Sequence, residues 1–344
     1  MIVTDPGIVK VGIVERAVQS LRQASLEVCV FEGTEENPTT RHVEAGVHFA
    51  KAQGEIDLIV GLGGGSAMDC AKGVNFILTN GGKMEDYWGM GKAVRPMLPS
   101  IGIPTTAGTG SEAQSYALIA RETSHQKMAC GDMKARFWVV ILDPALTESV
   151  PKSVAAAAGM DAVSHALESY VSTRRNPVSQ MFALRAWELL EGSFETSLSE
   201  PASVEARGKM LLGAHLAGAA IENSMLGAAH ACANPLTARY GITHGIAVGL
   251  MLPVVIRFNG QRELYEGLTA HRARADRQGC VALLVDRVVR LKATAGLPEC
   301  LRDFRIERGD LPLLAKEAAG QWTGTFNPRR VTESDFLQLY EAVY

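Results

Sequence analysis

The chain has 344 residues, of which 47% are hydrophobic and 21% charged, and its formal net charge is −3. That is the balance of an ordinary globular protein long enough for two domains, each with its own core. It offers no electrostatic attraction for nucleic acid or an anionic membrane, so small molecules are the expected ligands.

From residue 1 to 149, short β-branched runs alternate with amphipathic segments: "IVTD", "LEVCVFEG", "IDLIVGLGGG", "LPSIGIPTT" and "FWVVILDP", separated by helical patterns such as 43–53. That rhythm predicts a parallel sheet with crossover helices. After Pro151 the strand signals stop, and helical patterns follow at 154–171, 177–191, 203–221 and 246–258. The expected architecture is α/β plus all-α, with an N-terminal parallel-sheet domain over 1–149 and an all-helical domain over 150–344, and a ligand cleft where they meet. The longest apolar run, 245–256, is too short to span a bilayer and contains Pro253. Six cysteines without a C-x-x-C pair or a preceding signal peptide predict reduced thiols and a cytoplasmic location.

Two glycine-rich loops follow predicted strands. In "DLIVGLGGGSAMDCAKG", a hydrophobic strand runs into Gly63, Gly64, Gly65 and Ser66 and then a helix. A glycine turn lets backbone N–H groups approach a phosphate that the helix dipole also favours, although a purely structural βα turn has the same form. In "IPTTAGTGSE", a second strand ends in Thr105, Thr106, Gly108, Thr109, Gly110 and Ser111. Two such loops on one sheet suit an extended dinucleotide and a Rossmann-like domain. Asp5, ending the first strand, stands where a ribose hydroxyl would bind, and a helix cap is the competing role.

"GMDAVSHALESY" places Asp161, His165 and Glu168 at i, i+4 and i+7 on one helix face. The polar residues of this helix include no lysine or arginine, which is unusual for a solvated face. His230 in "LGAAHACANPL" and His244 in "GITHGIAVGLMLP" lie in equally apolar surroundings. One carboxylate and three imidazoles make a complete ligand set for a divalent metal such as Fe(II) or Zn(II), while each histidine alone also reads as a hydrogen-bonded core residue. His215 in "LLGAHLAGAA" is assigned to that second class.

Together the loops "GGGSAMDCAK" and "IPTTAGTGSE", the "LDPALT" segment, "GMDAVSHALESYVS", and "HACANPL" paired with "HGIAVGLMLP" resemble the iron-containing (group III) alcohol dehydrogenase family over essentially the whole chain. The resemblance implies a dehydroquinate synthase-like architecture: a Rossmann-like dinucleotide-binding domain followed by a helical metal-binding and substrate domain. It implies Asp161, His165, His230 and His244 as metal ligands, and Gly64, Gly65 and Ser66 as the pyrophosphate loop. Thr105, Thr106, Thr109, Lys127 and Leu146 match cofactor contacts, and Asp5 matches the carboxylate that favours NAD over NADP. It also implies a homodimer and the transfer of a hydride between an alcohol, or its aldehyde or ketone, and a nicotinamide; the small residues near His230 and the lack of a basic cluster there point to a short, uncharged alcohol. The metal, Fe(II) with Zn(II) as a substitute, acts as a Lewis acid.

Two departures accompany the resemblance. Where many members carry a proton-relaying histidine four residues after the position of His230, this chain has Asn234, whose amide is neither a general acid nor a base. Members also usually carry a segment ahead of the strand matching "IVTD", without which a sheet edge is expected to lie uncovered. The alternatives are a glycerol dehydrogenase- or dehydroquinate synthase-like reaction on the same scaffold, or a nucleotide-binding protein without turnover.

Overall fold

The run "IVGLG" carries no polar side chain, and it forms the middle strand of a five-stranded parallel sheet in the structure, a computed structural model that describes residues 1–124, 126–270 and 279–344. The described residues divide into two units, Met1–Val150 and Pro151–Tyr344. In the first, the strands are β1 (Ile2–Val3), β2 (Val30–Phe31), β3 (Ile59–Gly63), β4 (Gly89–Met90), β5 (Ser100–Pro104), β6 (Tyr116–Ala120), β7 (Lys127–Gly131) and β8 (Val139–Val140). The parallel sheet has the order β2-β1-β3-β5-β8. Its helices are α1 (Pro6–Lys10), α2 (Ile13–Gln23), α3 (Thr40–Gln53) and α4 (Gly65–Asn80).

Alternation along each strand divides the apolar residues between the two faces of the sheet. Ile2, Val60 and Leu62 pack with Ile13, Val14 and Val18 of α2. Val3 and Ile59 pack on the other face with Val43 and Val47 of α3 and Met68 and Val74 of α4. Burial on both faces explains why β3 reads as a continuous hydrophobic run rather than an alternating one.

The strands are shorter than the predicted runs. "IVTD" contributes only Ile2–Val3, because Asp5 caps a helix that begins at Pro6. "FWVVILDP" contributes only Val139–Val140 at the sheet edge, and Asp143 then caps a short turn at Pro144–Thr147. The expectation of a parallel sheet also omits a second one, in which β7 pairs parallel with β4 and antiparallel with β6.

The second unit has no strand among its described residues. Its helices are α5 (Lys152–Val171), α6 (Pro177–Ser199), α7 (Val204–Glu222), α8 (Ala228–Tyr240), α9 (His244–Asn259), α10 (Arg262–Thr269), α11 (Cys280–Thr294), α12 (Leu311–Ala319) and α13 (Glu333–Glu341). Helix α6 runs past the predicted end at Glu191, since Phe194 and Leu198 continue its buried face. Helix α5 is the hub, packing against α6, α7 and α9, while α8 packs on α9. No described helix is long and apolar enough to cross a membrane.

Candidate functional site

Asp161 and His165 come from α5, His230 from the first turn of α8 and His244 from the first residue of α9. Their convergence depends on Gly245. A Cβ on that residue would lie 2.0 Å from the Ala157 carbonyl oxygen and 3.2 Å from Asp161 Cβ, so only glycine lets the start of α9 approach α5 this closely. His244 is thereby held beside Asp161.

The donor atoms of Asp161, His230 and His244 all lie within 4.8 Å of one another. Asp161 Oδ1 is 3.4 Å from His165 Nε2, 3.5 Å from His230 Nε2 and 4.0 Å from His244 Nε2. The His165 ring stacks on His230 with centroids 4.9 Å apart. These separations are long for hydrogen bonds. They suit donor atoms around a shared ion: tetrahedral bonds of about 2.1 Å put neighbouring donors about 3.4 Å apart. Asp161 Oδ1 and His230 Nε2 are buried with no hydrogen-bond partner among the described residues, the condition a bound cation would relieve. The donor set therefore fits a divalent metal.

Charge in the cluster is tightly coupled. Burial opposes ionisation of Asp161, and the imidazoles of His165, His230 and His244 overcome it, holding the carboxyl well below the usual carboxylate range. Burial likewise opposes a charged His230, but the carboxylates of Glu168 and Asp161 push it up to about 9. Glu168 was legible in the sequence only as a third member of the helix face. Its Oε1 accepts the Ala229 N–H at 2.7 Å, and its Oε2 accepts from His230 Nδ1. Asn234 lies one turn beyond His230, half-buried, and its Nδ2 donates to Gln321 Oε1 at 2.9 Å. His215, half-buried on α7, is not part of the cluster.

In the first unit, Gly64 is the N-cap of α4 and supplies no side-chain cap, leaving the first-turn N–H groups to be met from outside the helix. A Cβ on Gly65 would fall 2.6 Å from Thr109, so the turn and the threonine loop are in direct contact. The Thr105 N–H donates to Gly63 at 2.9 Å, which continues the β3–β5 ladder. Ser66 Oγ accepts the Asn37 N–H at 3.3 Å. Thr105 is buried, and Thr106 and Thr109 are half-buried beside it. Lys127 is exposed at the start of β7, and Leu146 packs in the core with α2. Asp5 Oδ1 caps α1, accepting from the Gly7 and Ile8 N–H groups at 2.9 and 3.1 Å.

This combination defines a class: an α/β unit with a glycine turn at a helix N-terminus, and a helical unit with a buried aspartate–histidine cluster. Residues 1–144 match the family described as iron-containing alcohol dehydrogenase, and residues 155–344 match the C-terminal part of the Fe-containing alcohol dehydrogenase family. The chain is 35% identical to alcohol dehydrogenase 4 of Schizosaccharomyces pombe over 99% of its own length and 81% of that protein's. The crystal structure of a 1,3-propanediol oxidoreductase superposes with a TM-score of 0.95 at 30% identity, covering 100% of this chain and 91% of that one. A sulfoacetaldehyde reductase from Bifidobacterium kashiwanohense, solved in complex with NAD+, has a TM-score of 0.88 at 29% identity and covers 99% of this chain and 90% of its own. The chain belongs to the iron-containing alcohol dehydrogenase family. It is an alcohol oxidoreductase of that type.

Proposed function

We propose that the protein is a metal-dependent, NAD-linked alcohol dehydrogenase, interconverting short uncharged alcohols or diols with their aldehydes or ketones. The observation that carries the reading is the grouping of Asp161, His230 and His244 donor atoms within 4.8 Å. In it these three residues and His165 hold Fe(II), with Zn(II) able to substitute. A divalent cation held there would supply Lewis-acid polarisation of a substrate oxygen, and a bound nicotinamide would supply the hydride chemistry.

The remaining work falls to the chain itself. Glu168 engages His230 Nδ1, which leaves Nε2 as the nitrogen a metal would take, in competition with the proton that the two carboxylates favour. The uncapped first turn of α4 receives the dinucleotide diphosphate. Asp5 contributes negative charge against the 2′-phosphate of NADP. Asn234, tied to Gln321, would orient substrate by hydrogen bonding and has no proton to relay. A homodimer and a cytoplasmic location belong to the same proposal, supported by the family resemblance and by six cysteines that are all unpaired.

The test is anaerobic reconstitution with Fe(II) or Zn(II), following NADH absorbance across a panel of short alcohols and diols, with His244→Ala as the control. Turnover that requires metal and is lost in the control supports the reading. Metal bound at one equivalent without turnover on any substrate points to a nucleotide-binding protein instead.

A further inference from the structure

Lys72 lies two turns into α4, in the same segment as the glycine turn, yet it is only 2% exposed. Its Nζ donates to three backbone carbonyls, Ser111 at 2.6 Å, Gln114 at 2.7 Å and Tyr116 at 2.8 Å. The ammonium also lies 5.4 Å from the centre of the Phe137 ring. A buried ammonium is costly unless its protons are matched, and here three protons meet three carbonyls. Those carbonyls belong to a short turn and the start of β6, where the chain leaves the threonine loop.

We propose that Lys72 is a positioning residue for the dinucleotide: by gathering the carbonyls of residues 111, 114 and 116 it holds the threonine loop against the glycine turn, and it does not touch the phosphates. The inference rests on the dinucleotide reading above. Two further restraints on the loop converge on Thr109. Gln114 Nε2 donates to the Thr109 carbonyl at 3.1 Å, and the Ser111 N–H donates to Thr109 Oγ1 at 3.3 Å. Thr109 is the residue that fills the space a Cβ on Gly65 would occupy. A chain of direct contacts therefore runs from Lys72 through Ser111 and Gln114 to Thr109 and the turn. A lysine that follows a glycine loop invites assignment as a phosphate ligand. Seven helical residues of 1.5 Å rise put Lys72 about 10 Å along the axis from Gly65, with its protons already engaged by carbonyls.

The experiment compares the parent chain with Lys72→Met, Lys72→Arg and Gln114→Ala, using hydrogen exchange on the cofactor-free protein and NAD+ titration by calorimetry. For Lys72→Met, exchange speeds up at least tenfold in peptides spanning 105–116 while β1–β3 keep their protection. NAD+ affinity falls at least tenfold, and Zn(II) affinity stays within twofold of the parent. Lys72→Arg falls between, since a planar guanidinium cannot converge on three carbonyls as an ammonium does. Unchanged exchange in the loop with NAD+ affinity within twofold of the parent overturns the proposal. If Lys72→Met loses protection throughout residues 1–150, Gln114→Ala decides, and its failure to alter loop exchange overturns the proposal as well. Failure of the parent to bind NAD+ rejects the dinucleotide reading, while loop exchange still decides whether Lys72 holds the loop.

Discussion

Glu168 and His230, 62 residues apart in sequence, meet through a buried hydrogen bond from His230 Nδ1 to Glu168 Oε2. The other carboxylate oxygen accepts the neighbouring Ala229 N–H, so one side chain anchors both the backbone and the ring at the start of α8. With Nδ1 occupied in this way, Nε2 is the nitrogen that faces Asp161. Replacing Glu168 with glutamine leaves the volume intact but removes the charge and offers an amide in place of one oxygen. Metal affinity should fall about 10- to 100-fold, the usual effect of removing such a supporting contact. Zn(II) titration against a competing chelator measures it, and NAD+ affinity, which belongs to the other unit, should not move. An unaltered Zn(II) affinity would remove Glu168 from the account of the site.

Gly245 and Gly249 stand one helical turn apart on α9 and predict opposite responses to alanine. At Gly245 the added carbon meets backbone, the Ala157 carbonyl oxygen at 2.0 Å, and no rotamer change can relieve that. At Gly249 the nearest atoms are on the Met160 side chain at 3.4 Å, an ordinary contact. Gly245→Ala should destabilise the fold by about 2 kcal/mol or more and weaken Zn(II) binding by moving His244 away from Asp161. Gly249→Ala should be neutral or stabilising by up to about 1 kcal/mol through helix propensity. Thermal unfolding of the metal-free variants separates the two, and equal losses in both would refute the claim that backbone contact sets the approach of α9.

These contrasts show what the sequence can and cannot reveal. Strand β3 and α4 were legible because an unbroken apolar run into three glycines has few other solutions. The burial of the Asp161 face of α5 was legible because the stretch 154–171 carries no lysine or arginine, and such a stretch seldom faces water. The second sheet was not: "YALIA" and "KMACG" are rich in small residues and methionine, and β4 is two residues long, so no alternation marks them. Their pairing is a property of the folded chain. For the same reason the helix phase shows that Glu168 shares a face with Asp161 but not that it meets His230, and nothing in "GGGSAMDCAK" distinguishes a lysine in water from one gathering three carbonyls.

Asp69, one turn before Lys72, is also buried. Burial pushes its carboxyl up from 3.8 to about 6, with Lys72, Lys127, the Ser111 hydroxyl and the Leu118 backbone acting in the opposite direction. Because the folded-state value lies above the unfolded one, the folded state holds the proton more tightly between those two values, and ionisation there disfavours folding. The penalty is absent below about pH 4, grows as pH rises, and is complete above about pH 6. An amide in place of the carboxyl cannot ionise. The stability of Asp69→Asn relative to the parent should therefore rise by on the order of 2 to 3 kcal/mol between pH 4 and pH 7. Any loss from altered hydrogen bonds adds a constant offset. Denaturant unfolding of the metal-free proteins across that range gives the difference, and a flat difference would show that Asp69 is not the titrating group.

Asp5 has an observed role, capping α1, and a proposed one, disfavouring NADP, and asparagine can separate them. Its Oδ1 caps α1 through the Gly7 and Ile8 N–H groups, whereas a Cβ on Gly63 would lie 3.1 Å from its Oδ2, which places that oxygen beside the glycine turn. Asparagine caps a helix as well as aspartate does, so Asp5→Asn should keep stability within about 0.5 kcal/mol. Alanine removes the cap and should cost about 1 kcal/mol. The charge is what asparagine removes. A carboxylate a few ångströms from a phosphate repels it by roughly 1 to 3 kcal/mol once solvent screening is included. The preference for NAD over NADP, read as the ratio of kcat/KM values, should accordingly shrink by about 10- to 100-fold in Asp5→Asn. Both variants lose the charge, so the same change in preference is expected of Asp5→Ala, and only stability should distinguish them. If preference shifts in Asp5→Ala but not in Asp5→Asn, the cap rather than the charge governs cofactor choice, and electrostatic exclusion of the 2′-phosphate is wrong.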